Sequence, residues 1–126
     1  MRRKVPIGMN VLWELARGTK ESIARADFTL GKQRALIDPV AGGIYQYSAA
    51  EDWSDPHFEK LISFQAPNLE AYARGFAATK KLQHLDDARS FYPYLTTTLR
   101  SPEGDFYVNQ DADVNAHDRM SPFVDP

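Results

Sequence analysis

His57, Glu59, Asp111 and Asp113 are the residues of this 126-residue chain whose types and spacing could support acid–base chemistry. The run Ser54-Asp55-Pro56-His57-Phe58-Glu59-Lys60 predicts a helix start, with Ser54 or Asp55 as cap and Pro56 in the first turn, where its missing N–H costs little. In such a turn the helix dipole disfavours an added positive charge, and an imidazole there could pass one proton or hold a hydroxyl, or simply pack its ring with Trp53 in a cluster at the helix start. Glu59 follows two residues later, about 200° around a regular helix, so the two side chains share a pocket only if the turn is irregular. The dipole alone also explains a glutamate at that position. Asp111 and Asp113 alternate in an acidic, amide-rich tract with Asn109, Asn115 and Asp118. On an extended segment they point the same way and form paired carboxylates; on a solvated loop they do nothing in particular. The tract is a poor calcium loop. Counted from Asp111, its glycine position holds Ala116 and its terminal glutamate position holds Pro122.

Three aromatic residues precede this chemistry. Tyr45, Tyr47 and Trp53 can stack on a sugar or another flat ligand, or pack on neighbouring helices. Just before them, Gly42-Gly43 marks a turn or a place where backbone passes close to something. The chain has no cysteine, which excludes disulfides, thiolate metal sites and cysteine nucleophiles. It carries no dinucleotide-binding, P-loop, zincin or serine-hydrolase motif, and we expect neither metal nor cofactor. Lys80-Lys81 is too small a charge for a nucleic-acid patch. The net charge of −2 is unevenly divided: through Ile37 there are eight Lys/Arg against three Asp/Glu, and thereafter seven against fourteen. The two parts, about +5 and −7, could attract each other, although a solvated basic helix is the plainer interpretation. The start Met1-Arg2-Arg3-Lys4 has the charge of a signal peptide, but no apolar stretch follows it, and nothing approaches a membrane span. The expectation is a soluble, cytoplasmic chain with no nucleic-acid or membrane partner.

The elements that must position these residues are mainly helical. Residues 10–25 have Asn10 as cap and Val11, Leu12, Leu15, Thr19 and Ile23 on one face. Residues 27–37 predict a second, shorter helix that ends at Asp38-Pro39. Residues 39–54 are a loop with a short extended piece near Tyr45. The helix from residue 56 carries Phe58, Leu61, Ile62, Gln65, Leu69, Tyr72, Ala73 and Phe76 on one long face, and Pro67 predicts a kink or a division into two helices. Residues 85–99 form a further helix, with Pro93 inside it and Ala88, Phe91, Tyr92, Leu95 and Leu99 apolar. Ser101-Pro102-Glu103-Gly104 is a turn, and Asp105 to Val108 suit one strand of a small hairpin.

Two motifs carry a family resemblance. Gly42-Gly43-Ile44-Tyr45-Gln46-Tyr47-Ser48, then Asp52-Trp53, then Pro56-His57-Phe58-Glu59-Lys60, resembles a signature of the thioredoxin-domain-containing family of spermatogenesis-associated protein 20 and bacterial YyaL. Ser101-Pro102-Glu103-Gly104-Asp105-Phe106-Tyr107 with Gln110-Asp111-Ala112-Asp113 is similar to a later motif of that family. The resemblance covers roughly residues 37 to 118. It implies a mainly α fold: the early helices of a six-hairpin-glycosidase-like (α/α)6 toroid, with Tyr47, Trp53, His57, Glu59, Asp111 and Asp113 near a pocket suited to a carbohydrate. A toroid of twelve helices needs on the order of 300 residues, so three or four helices make a partial toroid. The thioredoxin-like domain of the family has no counterpart in this sequence.

The expected division is a basic helical segment, 1–37, and a partial toroid domain, 38–126. The expected function is an incomplete carbohydrate-active-like domain, not catalytic alone, because a fraction of a ring does not hold reacting groups to the required precision. Its partners would be a carbohydrate, the missing toroid segment or further copies of itself. One alternative is a small helical interaction or self-associating module that uses an apolar stripe with Leu61, Leu69, Tyr72 and Phe76. Another is a small enzyme using His57 with Asp111 or Asp113.

Overall fold

The computed structural model describes residues 4–106, 109–110 and 124–125. Four helices carry the fold: α1 (Met9–Arg17), α2 (Lys20–Gln33), α3 (Ile62–Thr79) and α4 (Leu82–Tyr94). A 3₁₀ turn, Arg34–Leu36, extends α2, and a π-helical turn, Leu95–Leu99, extends α4. Short strands β1 (Tyr47–Ser48) and β2 (Pro56–His57) form an antiparallel pair. Strand β3 (Lys60–Leu61) pairs with β4 (Asn109–Gln110), which pairs with β5 (Val124–Asp125).

The predicted helix over 10–25 is two helices. Gly18 takes the left-handed conformation (φ 70°), which ends α1 and reverses the chain. Thr19, expected on an apolar face, instead caps α2 in a reciprocal box with Ser22, each side chain accepting from the other's N–H at 3.0 Å. Asn10 is not a cap but an exposed residue inside α1. Ser22, Ala26, Leu30 and Gln33 then give α2 one buried stripe at helical spacing.

A larger correction concerns residues 54–61. Pro56 and His57 are in a strand and α3 starts only at Ile62, so neither His57 nor Glu59 sits in a first helical turn. Three contacts favour the extended path. Tyr47 and Ser48 pair with His57 and Pro56. Ser48 Oγ accepts from the N–H of Ala50 and of Asp55, which closes the intervening loop. Pro56 tolerates this place because β2 is an edge strand that pairs with β1 on one side.

Pro67 neither divides α3 nor ends it. The bond it deletes falls on the carbonyl of exposed Ser63, near the helix start. On either side, Gln65 Nε2 donates to Leu61 O (3.0 Å) and Asn68 Nδ2 to Phe64 O (2.7 Å). The buried stripe of α3 is Gln65, Asn68, Ala71, Tyr72 and Gly75, rotated from the predicted face. Tyr72 is wholly buried and donates to Leu30 O at 2.8 Å, so it belongs to no exposed stripe, while Ala73 is exposed. Pro93 lies in the last turn of α4 and leads directly into the π-helical turn. Ser101–Gly104 is the predicted turn, bridged by Arg100 and Phe106.

The core is built from both halves of the sequence: Val11, Leu30 and Leu36 meet Ile44, Tyr72 and Phe91. Each fully buried large apolar side chain is worth roughly 1.5–3 kcal/mol. Helix α1 packs directly on α3, whereas long side chains join α2 to α4: Arg34 forks onto Asp87 at 3.0 and 3.1 Å, and Asp27 takes both Lys81 and His84.

Candidate functional site

The tight connections lie at one end of the helices, at Gly18-Thr19 and Lys80-Lys81. Among the described residues, the longer segments gather at the other end: residues 4–8, 37–61 and those from 100 to 106, with β4 and β5. There Lys4 and Ser48 exchange backbone bonds of 3.0 and 2.9 Å, and β3 pairs with β4. The residues singled out in the sequence between 45 and 59 all belong to this end.

A buried lysine anchors it. Lys60 is 3% exposed; its Nζ donates to Asp38 Oδ2 at 2.7 Å and to Gly42 O at 2.9 Å. The ammonium also lies over the rings of Tyr94 (4.3 Å) and Tyr45 (5.4 Å). Burial lowers the Lys60 pKa, and the Asp38 carboxylate partly offsets that. Burial would raise Asp38, but the bonds from Lys60 and from the N–H groups of Val40 and Ala41 prevail and hold it below its ordinary value. Burial, with Asp38 nearby, pushes the Tyr45 phenol up to about 12, and the same causes raise Tyr94.

Gly42-Gly43 explains itself in this setting. A Cβ on Gly42 would lie 2.0 Å from Ser90 O, and one on Gly43 2.6 Å from Tyr94 Cδ2. The pair lets the loop lie against α4, where Gln65 clamps Ile44 through both its N–H (2.7 Å) and its carbonyl (2.8 Å).

On that base stands the β1–β2 ribbon. Tyr47 and His57 are directly opposed in register, and their rings stack at 4.1 Å with 16° between planes. His57 is exposed. Tyr45 meets Phe58 edge to face at 4.9 Å. Trp53 has φ 67° at the tip of the loop and packs partly against the core. Glu59 is half-buried between β2 and β3. Thus Tyr45, Tyr47, Trp53, His57 and Glu59 share one 15-residue stretch, with only Tyr47 and His57 in ring contact. Asp111 and Asp113 lie outside the described residues.

Sequence reasoning missed Asp38, Lys60 and Tyr94 as a unit. The available signal was Lys60 itself, a lysine directly before the apolar run Leu61-Ile62. It also passed over His84, which is 2% exposed and lies with Nε2 2.7 Å from Asp27 Oδ1. Among the described residues, no group of three or more His, Asp or Glu could hold a metal ion. Among the same residues, no helix is long and apolar enough to cross a membrane.

These helical hairpins match solved toroids. Cellobiose 2-epimerase from Spirochaeta thermophila superposes with a TM-score of 0.76 at 17% identity, over 98% of this chain and 32% of that one. A glycoside hydrolase family 76 mannosidase from Bacteroides thetaiotaomicron gives 0.71 at 20% identity, over 98% and 34%. The fold is therefore that of a partial (α/α)6 toroid. No family model matches the sequence. In sequence the chain is homologous to spermatogenesis-associated protein 20: the mouse protein is 34% identical over 87 residues, 69% of this chain and 11% of the relative. The human protein is 34% identical over 78 residues, 62% and 10%. The chain thus spans about a tenth of the length of the relatives it matches.

Proposed function

We propose that this chain, an incomplete toroid domain, supplies one wall of a carbohydrate-type pocket and does not turn over a sugar alone. The observation that carries this reading is the Tyr47–His57 stack, held out on a ribbon whose base is fixed by Lys60 and Asp38. A flat aromatic face beside an imidazole suits the apolar face and hydroxyls of a pyranose. Tyr45 and Trp53 would extend that face, and Glu59, Asp111 and Asp113 are the carboxylates available for acid–base work. Residues 38–126 would carry the wall, with the basic segment 1–37 packed behind it. Support also comes from solved neighbours that are named as a mannosidase, a D-mannose isomerase and a cellobiose 2-epimerase.

The test is saturation-transfer NMR with millimolar D-mannose and cellobiose, on the wild type and Tyr47→Ala, followed by product analysis after long incubation. We expect transfer to at least one sugar, its loss in the variant, and no product. Absence of transfer, or transfer undiminished in Tyr47→Ala, would sink the pocket assignment; product formed by the isolated chain would sink the claim of inactivity.

A further inference from the structure

The β1–β2 ribbon carries more than an aromatic stack. Tyr47 and His57 are opposed in register, and the N–H of Ala49 donates to Asp55 O at 2.8 Å, so the ladder continues past them towards the loop. Successive side chains of a strand alternate, which puts Asp55 on the same face as His57, about 7 Å along it. Both residues are exposed. The loop beyond is fixed and acidic. Asp52 Oδ1 accepts from the N–H of Ser54 at 3.1 Å and from the Ser54 hydroxyl, and those bonds hold the Asp52 carboxyl below its ordinary value. Trp53 between them takes φ 67°, a conformation that a bulky side chain rarely adopts. No Lys or Arg occurs in the sequence between Arg34 and Lys60, whereas Glu51, Asp52, Asp55 and Glu59 all do. The lysines that adjoin the ribbon serve other places. Lys60 is buried on Asp38, and Lys4 pairs with Ser48, whose position in the ladder alternates to the face opposite Tyr47 and His57.

We propose that this ribbon selects a sugar carrying a protonated amine, with Tyr47 and His57 taking the ring and Asp55 the ammonium. The inference rests on the carbohydrate reading above and names its substrate class. An aromatic face attracts a cation as well as the apolar face of a pyranose, so the stack and the carboxylate favour the same ligand. One pair of unit charges at about 4 Å in water is worth about fivefold in affinity. A hydroxyl or an N-acyl amide at the same carbon is neutral and gains none of that. The acidic loop adds a longer-range pull on cations, which salt screens.

NMR titration of the 126-residue chain with D-mannosamine, D-mannose and N-acetyl-D-mannosamine tests it, at about pH 7, where a primary amine is protonated. D-Mannosamine should bind about fivefold more tightly than D-mannose in low salt, and the gap should close towards unity at about 1 M salt. N-Acetyl-D-mannosamine should gain no such preference. Asp55→Asn should abolish the preference and still bind D-mannose; Ser48 and Ala49 bond the Asp55 backbone, so the ribbon is kept. Asp86→Asn, the same charge change on the exposed surface of α4, should retain the preference. If D-mannose binds and D-mannosamine binds no better, the amine selection is overturned and the sugar-wall reading stands. The selection is equally overturned if N-acetyl-D-mannosamine matches D-mannosamine, if Asp55→Asn keeps the preference, or if Asp86→Asn loses it. Binding of no sugar at all would end both this inference and the sugar-wall reading.

Discussion

Lys60 and Asp38, 22 residues apart in sequence, meet at 2.7 Å beneath the loop end, and the lysine side chain is only 4% exposed. The contact fixes where α3 begins, because Lys60 must be extended to reach the Asp38 turn. Removing one partner of such a pair leaves a buried charge unpaired and costs about 3–5 kcal/mol. Asp38→Asn should therefore lower the unfolding free energy by that order in urea titrations, and Lys60→Met, which removes the charge itself, should cost less.

The same pair sets an acid response. Asp38 is held below its ordinary 3.8, so its contribution is complete above that value and is lost as the pH falls through its folded pKa. Between about pH 5 and that folded pKa, the stability gap between wild type and Asp38→Asn should shrink as the pH falls. Denaturant midpoints of both proteins at several acid pH values measure it. A constant gap would mean that the carboxylate is not preferentially stabilised in the fold.

Gly42→Ala and Gly104→Ala should separate steric clash from backbone strain. Both glycines have positive φ, but only at Gly42 would a Cβ meet backbone, at 2.0 Å from Ser90 O; around Gly104 there is open space. Gly104→Ala should cost about 1 kcal/mol and Gly42→Ala about 3 kcal/mol or more, read as melting temperatures.

Asn68→Leu should be poorly tolerated although leucine suits a helix. Asn68 is fully buried, donates to Pro6 O at 2.6 Å, and accepts from Gln33 Nε2 at 2.6 Å. Leucine would leave both partners unpaired, at about 1–3 kcal/mol each. Chemical denaturation checks the sum.

His57→Ala should behave oppositely. The ring is exposed and its stacking on Tyr47 is worth roughly 0.5–1.5 kcal/mol at most, so the melting temperature should barely move. Saturation transfer to D-mannose or cellobiose should fall all the same.

Local chemistry explains what was legible in the sequence. A mainly helical chain, the Gly42-Gly43 turn and the Ser101–Gly104 turn follow from periodicity, glycine and proline, whereas the division between α1 and α2 falls at Gly18-Thr19 and not near residue 26. The breaks in those expectations have long-range causes. Thr19 fits an apolar periodicity as well as a cap, and only the left-handed turn at Gly18 decides between them. Pro56-His57 fits a helix start, and its pairing with Tyr47-Ser48 overrides it. The predicted face of α3 includes Gln65 and Tyr72 but leaves out Asn68, which looks like a surface residue until Gln33 and Pro6 supply its partners. No spacing rule brings Asp38, Lys60 and Tyr94 together.

The placing of short connections at one end and long ones at the other also orders the folding of the chain. Two-residue turns make the α1–α2 and α3–α4 hairpins low in contact order, so each can form early and locally. The loop end depends on contacts between distant parts of the sequence, such as Lys4 with Ser48, Pro6 with Asn68 and Lys60 with Gln110. Its closure therefore carries the larger loop-closure entropy. The aromatic ribbon is itself a local pairing, Tyr47 with His57, but the base that holds it in place is assembled from distant parts of the sequence.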